Sequence, residues 1–131
     1  MIDFFMHIPV PTATHQTKKV CLVGGYPRFY EPKKLKDARE LLMANLEKHR
    51  PEKPMEGAVK LTTEWVFHRG KSHKKDFWKI TRPDTDNLVK LLKDCMTASG
   101  FWKDDAQVAW EVTEKFYGET EGILVRVEEL K

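Results

Sequence analysis

The sequence contains no apolar run approaching the roughly 18–20 residues that span a bilayer. Its first residues, Met1-Ile2-Asp3-Phe4-Phe5-Met6-His7, lack the basic start, long apolar centre and small-residue cleavage site of a signal peptide. Cysteine is scarce. Cys21 and Cys95 lie 74 positions apart in apolar surroundings, too far apart in sequence for a redox or metal-binding motif. Reduced, buried thiols in a cytoplasmic protein are the expectation. There is no H-E-x-x-H, no glycine-rich phosphate loop, no G-x-S-x-G, no internal repeat and no low-complexity segment. The histidines offer no metal-ligand spacing either. His7 follows an apolar strand and is expected to be packed, His15, His68 and His73 fall in loops, and His49 falls near a helix end.

Nor is charge of one sign in large excess. Across 131 residues, 23 Lys+Arg stand against 20 Asp+Glu, a net +3. Hydrophobic residues make up 40%, enough for the core of one compact domain over residues 1–131. The distribution is less even than the total. Residues 1–103 hold 20 basic and 12 acidic side chains, whereas residues 104–131 hold 3 basic and 8 acidic ones. Such asymmetry points to an anionic partner, or else the acids are the solvent face of surface strands.

Residues 2–8 are aromatic and apolar and predict an opening strand that ends at Pro9 and Pro11. A polar loop follows, and Val20-Cys21-Leu22-Val23 is a short strand closed by Gly24-Gly25. Tyr30-Glu31-Pro32 opens a helix running to about His49, with Leu35, Ala38, Leu42 and Leu46 at helical spacing and Leu41 and Met43 widening the stripe. Residues 58–67 predict a long strand, residues 68–80 a basic loop, and residues 86–98 a second helix stopped by Ser99-Gly100. Residues 107–117 alternate, with Val108, Trp110 and Val112 on one face and Ala109, Glu111 and Thr113 on the other. With Ile123, Val125 and Val127 after a turn at 118–122, they predict a C-terminal β-hairpin. The order β(β)αβαββ predicts an α+β fold: a mixed β-sheet packed with two main helices.

The chemically informative stretch is Thr81-Arg82-Pro83-Asp84-Thr85-Asp86-Asn87-Leu88-Val89-Lys90. Asp84 and Asp86 stand two apart where a loop enters a helix, so their carboxylates can converge on one cation. Capping is the plainer alternative, with Asp84 or Thr85 accepting first-turn N–H groups and Asp86 meeting the positive end of the helix dipole. Lys90 is four after Asp86 and Asp94 four after Lys90, which places all of them on one helical face. A second acidic pair, Asp104-Asp105, follows Gly100-Phe101-Trp102-Lys103. Carboxylates from two places in the chain suit a hard ion such as Mg²⁺, with Mn²⁺ as a substitute, and a neighbouring lysine suits a phosphate transition state.

Residues 68–82 carry Arg69, Lys71, Lys74, Lys75, Lys79 and Arg82 against Asp76 alone, a local net of +5. Basic side chains bracket phosphates, and the interleaved Phe77 and Trp78 can stack on bases or wedge a distorted duplex. Alternatively the loop is merely solvated and the aromatics anchor it to the core.

At this point the chain resembles the RusA family of Holliday-junction resolvases. The resemblance rests on Arg82-Pro83-Asp84-Thr85-Asp86-Asn87-Leu88-x-Lys90, then Asp94, then Gly100-Phe101-Trp102-Lys103-Asp104-Asp105-Ala106-Gln107-Val108. It implies catalytic, metal-holding carboxylates at Asp84, Asp86 and Asp105 and an essential lysine at Lys90. Asp94 and Asp104 match acidic family positions of secondary role. It further implies a Mg²⁺-dependent homodimer that nicks two symmetric strands of a four-way DNA junction in recombination and repair, with a phage or prophage setting. A two-fold dimer suits a junction of approximate two-fold symmetry. From other classes stand a non-catalytic DNA-binding accessory protein and a metal-dependent flap or single-strand nuclease.

Overall fold

The residues 58–68 show the strictest alternation in the chain, and they become the central strand of the sheet. In the computed structural model, which describes residues 1–12, 19–23, 26–30 and 32–131, the elements are β1 (Ile2–Met6), β2 (Lys19–Val23), β3 (Tyr26–Tyr30), α1 (Lys33–Leu46), β4 (Val59–His68), α2 (Thr85–Ser99), β5 (Val108–Gly118) and β6 (Gly122–Glu129). Along β4 every second side chain, Val59, Leu61, Thr63, Trp65 and Phe67, is buried, as a pleated strand with one face on a core requires. The buried Thr63 is satisfied because its Oγ1 accepts a hydrogen bond from Trp65 Nε1 at 2.9 Å.

The sheet order is β1-β6-β4-β5, and β2 and β3 form a separate two-stranded antiparallel sheet. β6 pairs antiparallel with both β1 and β4, whereas β5 lies parallel to β4. The fold is therefore α+β with a mixed sheet. The helices pack on one sheet face, where Leu35, Leu42 and Leu46 of α1 join Leu88, Leu92 and Met96 of α2. The expected polar loop with His15, and the environment of Cys21, lie outside the described residues. Cys95 is buried in α2.

Several expectations are corrected. No C-terminal hairpin forms: β4 is inserted between β5 and β6, so Glu119–Glu121 must bridge two strand spacings, about 9.5 Å. A long amphipathic strand needs partners on both edges, and β4 takes one of each polarity. β3 was unforeseen, although two residues of Gly-Gly between apolar runs are a hairpin signal. α1 starts after Pro32, which serves as its N-cap, and ends at Leu46, where residues 47–49 continue as a turn. His49 is thereby free to stack on Phe4, with ring centroids 4.2 Å apart. Leu41 is 37% exposed and lies outside the buried stripe, and His7 is exposed.

The alternation in β5 also changes phase. A register shift between Val59 and Lys60 leaves Ala109 as an extra residue, so Val108 pairs with Val59 but Trp110 pairs with Lys60. Trp110 consequently turns to the open face, where Lys60 Nζ lies 3.7 Å from its ring centroid. Glu111, Thr113, Lys115 and Tyr117 turn toward the helices beside Leu61, Thr63, Trp65 and Phe67. At the end of α2, Gly100 adopts φ 90°. The Gly100 N–H bonds Thr97 O and the Phe101 N–H bonds Met96 O, which carries Phe101 into the core at 0% exposure.

Gly122 starts β6 where the strand runs against β1, and a Cβ there would overlap the Met6 carbonyl and the Phe5 ring. Gly122→Ala should therefore cost about 2 kcal/mol through overpacking. Urea unfolding checks this, and an unchanged midpoint would show that β1 yields freely.

Candidate active site

α2 is the crossover helix between the parallel strands β4 and β5, and its entry carries the first acidic pair. Asp84 is the N-cap residue, with extended backbone at φ −74° and ψ 150°, yet its side chain makes no capping hydrogen bond. Asp86 lies in the first turn. Both are exposed, and among the described residues neither carboxylate has a hydrogen-bond or ion-pair partner. Lys90, one turn further on, is likewise exposed and unpaired among the described residues. Side-chain capping by Asp84 therefore does not form, nor does an ion pair between Asp86 and Lys90. The helix dipole still favours negative charge at this end, so two solvent-facing carboxylates are held there at little cost.

The second acidic pair divides its labour. Asp104 caps a 3-10 turn over Asp105–Gln107: its Oδ1 accepts the Ala106 N–H at 2.9 Å, while Gln107 Oε1 accepts the Asp104 N–H at 3.0 Å. Gln107 also accepts the Lys103 N–H and donates from Nε2 to Met55 O at 2.8 Å and Gly57 O at 3.0 Å. One amide thus ties the turn to the segment ahead of β4. Asp105 is left half-exposed with no partner among the described residues. It borders an open cleft of about 630 Å³ together with Arg39, Asp94, Lys103 and Asp104. Asp94, unlike Asp105, is already engaged within the protein.

Among the described residues no three Asp, Glu, His or Cys side chains come together as a metal cluster. The reason is helical rise: Asp94, which shares the cleft with Asp105, is ten residues beyond Asp84, about 15 Å along α2. The donors nonetheless fit a hard divalent cation. Mg²⁺ is commonly bound by one or two carboxylates, with waters and substrate phosphate oxygens completing the shell, not by an all-protein cage.

The basic loop is also divided by its contacts. Arg69 folds back, with Nη2 donating to Tyr117 O at 3.2 Å and Nη1 3.5 Å from Glu119. Lys79 is turned inward as well, donating to Thr81 Oγ1 at 2.8 Å over the Phe67 and Tyr117 rings. Lys71, Lys74, Lys75 and Arg82 are exposed and unpaired among the described residues. His73 stacks on Tyr117 and meets Asp76 at 2.9 Å, which shapes the turn that presents Lys74 and Lys75. Phe77 and Trp78 run beside the outer edge of β5, where Tyr117 N donates to Phe77 O at 2.7 Å and Phe77 stacks on Phe116. Both remain about half exposed, 51% and 56%, so anchoring uses one side of the pair and leaves the other open.

Lys115 was not singled out from the sequence. Its signal is weak: a lysine in the phase of the alternation that the bulge at Ala109 turns inward. Its Nζ donates to Thr81 O at 2.6 Å and Pro83 O at 2.8 Å, directly ahead of Asp84.

Comparison with known proteins shows the family. The family model described as Endodeoxyribonuclease RusA matches residues 9–128. The chain is 33% identical over 130 residues, 98% of each chain, to the protein named crossover junction endodeoxyribonuclease rusA of Lactococcus phage r1t. It is also 29% identical over 119 residues, 82% of each chain, to the uncharacterized protein YqaN of Bacillus subtilis strain 168. The acidic helix entry, the capped Asp104-Asp105 turn and the basic loop all lie inside the matched span, and the chain belongs to the RusA family of endodeoxyribonucleases.

Proposed function

We propose that this endodeoxyribonuclease resolves four-way DNA junctions by paired symmetric nicks, acting as a homodimer with a divalent ion, Mg²⁺ or Mn²⁺ in its place. The observation that carries the reading is the set of unpartnered groups along one helix: Asp84, Asp86 and Lys90, with Asp105 beyond them, each without a side-chain hydrogen bond or ion pair among the described residues. Carboxylates left without structural work, beside cations left without counter-ions, are what a phosphodiester and its metal would use.

Asp84 with Asp86 at the entry to α2, and Asp105 after its other end, are the residues that would hold one or two ions, with waters and phosphate oxygens completing each shell. When bound, such an ion supplies positive charge that offsets the phosphodiester and activates water. Lys90 places an ammonium where negative charge accumulates on the phosphate during attack. Lys71, Lys74, Lys75 and Arg82 hold the DNA backbone and set its approach, a contact that carries no base preference of its own. Phe77 and Trp78 offer exposed ring faces and edges for stacking at an opened junction. Two copies related by a two-fold axis would present equivalent sites to the two equivalent strands of a junction. No helix among the described residues is long and apolar enough to cross a membrane.

The two adjacent aspartates separate catalysis from stability. Asp105→Asn should keep junction binding and the wild-type unfolding midpoint while cleavage falls about a hundredfold or more. Asp104→Ala should instead lose about 1 kcal/mol of stability with its cap. Wild-type cleavage by Asp105→Asn would remove that residue from the site. Joint replacement of Lys74 and Lys75 by Ala should flatten the log–log salt dependence of junction binding by about 1.8, at about 0.9 per phosphate contact. An unchanged slope would place the loop away from the DNA.

A further inference from the structure

The segment 81–84 has no helix or strand of its own, yet it sets where Asp84 stands at the entry to α2. Among the described residues, its hydrogen bonds from an element other than α2 come from one side chain. Lys115 sits in β5 opposite Trp65, on the face of the sheet that α2 covers. Its ammonium donates to Thr81 O at 2.6 Å and to Pro83 O at 2.8 Å, so it straddles the Arg82–Pro83 peptide and ends one bond short of Asp84. Hydrogen bonds from a charged donor are shorter and stronger than neutral ones. Four residues earlier on the same face, Glu111 pairs with Lys93 of α2 at 2.9 Å. The edge strand thus grips the helix at its entry and at its middle by charged contacts.

The N-terminal end of α2 carries the partial positive charge of the helix, with the Asp84 and Asp86 carboxylates beside it. The two carbonyl oxygens that accept from the Lys115 ammonium belong to the segment that leads into Asp84. We propose that Lys115 is a positioning residue for the nuclease site: it fixes the backbone at 81–84 and thereby the direction in which Asp84 presents its carboxylate. This rests on the reading of Asp84 as a functional carboxylate. Lys115 does not touch the substrate. It acts through Asp84.

The test compares Lys115→Met, Lys115→Arg and Asp84→Asn in the full chain. In metal-free protein, the backbone amide resonances of residues 84–88 should move in Lys115→Met and return toward wild type in Lys115→Arg. Junction affinity in EDTA should stay within about threefold of wild type, while the single-turnover rate at saturating junction falls about tenfold or more and half-maximal rate needs more Mg²⁺. Lys115→Arg should recover most of that rate. Should Lys115→Met lose its thermal transition, Lys115→Gln, which keeps one donor, is read by the same measures. Wild-type resonances and rate in the Met variant overturn the proposal. So does a loss of junction affinity as large as the loss of rate, which would make Lys115 a DNA contact. Asp84→Asn separates the two readings. If it cleaves at the wild-type rate, Asp84 is not functional, whatever Lys115 does to the backbone. If it is inactive while Lys115→Met cleaves normally, the positioning role alone fails.

Discussion

The parallel pairing of β4 with β5 is the constraint on which the rest depends. Parallel neighbours cannot be joined by a tight turn and need a crossover of a dozen or more residues. Here the crossover contains the basic loop, α2 and the Asp104-Asp105 turn, in that order. The helix entry therefore lies toward the carboxyl ends of the parallel strands, the side where open α/β arrangements leave room for a ligand. The same geometry sets Asp84 and Asp86 at one end of α2 and the turn bearing Asp105 after the other.

Within that frame, each charged side chain is sorted by whether the protein already uses it. Asp104 is spent on a capping box and Asp105 is not. Arg69 and Lys79 are folded into the loop's own support, whereas Lys71, Lys74, Lys75 and Arg82 have no internal partner among the described residues. Type and spacing are alike for Asp104 and Asp105, and for Lys74 and Lys79. Their partners distinguish them. The supports are themselves polar and specific: Gln107 holds one acidic turn through four hydrogen bonds, and Lys115 holds the other through two.

Much of this was legible in the residues. The alternation of Val59 to Phe67 identifies β4, the Ser99-Gly100 stop ends α2, and the D-x-D-N, K and D-D-A-Q-V pieces carry the likeness to the RusA family, because all of these are local signals. The insertion of β4 between β5 and β6 was not legible, since pairing across roughly 50 to 70 residues leaves no mark in a short window. The one-residue bulge at Ala109 inverted the faces of β5, hid Lys115 among apparent solvent positions and put Trp110 on the open side. Unmet capping at Asp84 could not be foreseen either, because the same residue at the same place caps many helices.

The most direct test of the central claim is a cleavage assay on a mobile four-way junction, a flap and a linear duplex, each with Mg²⁺ or with EDTA. Paired symmetric nicks in the junction alone, and only with Mg²⁺, are the predicted result. Comparable nicking of the flap or the duplex, or no cleavage of any substrate, would contradict the account.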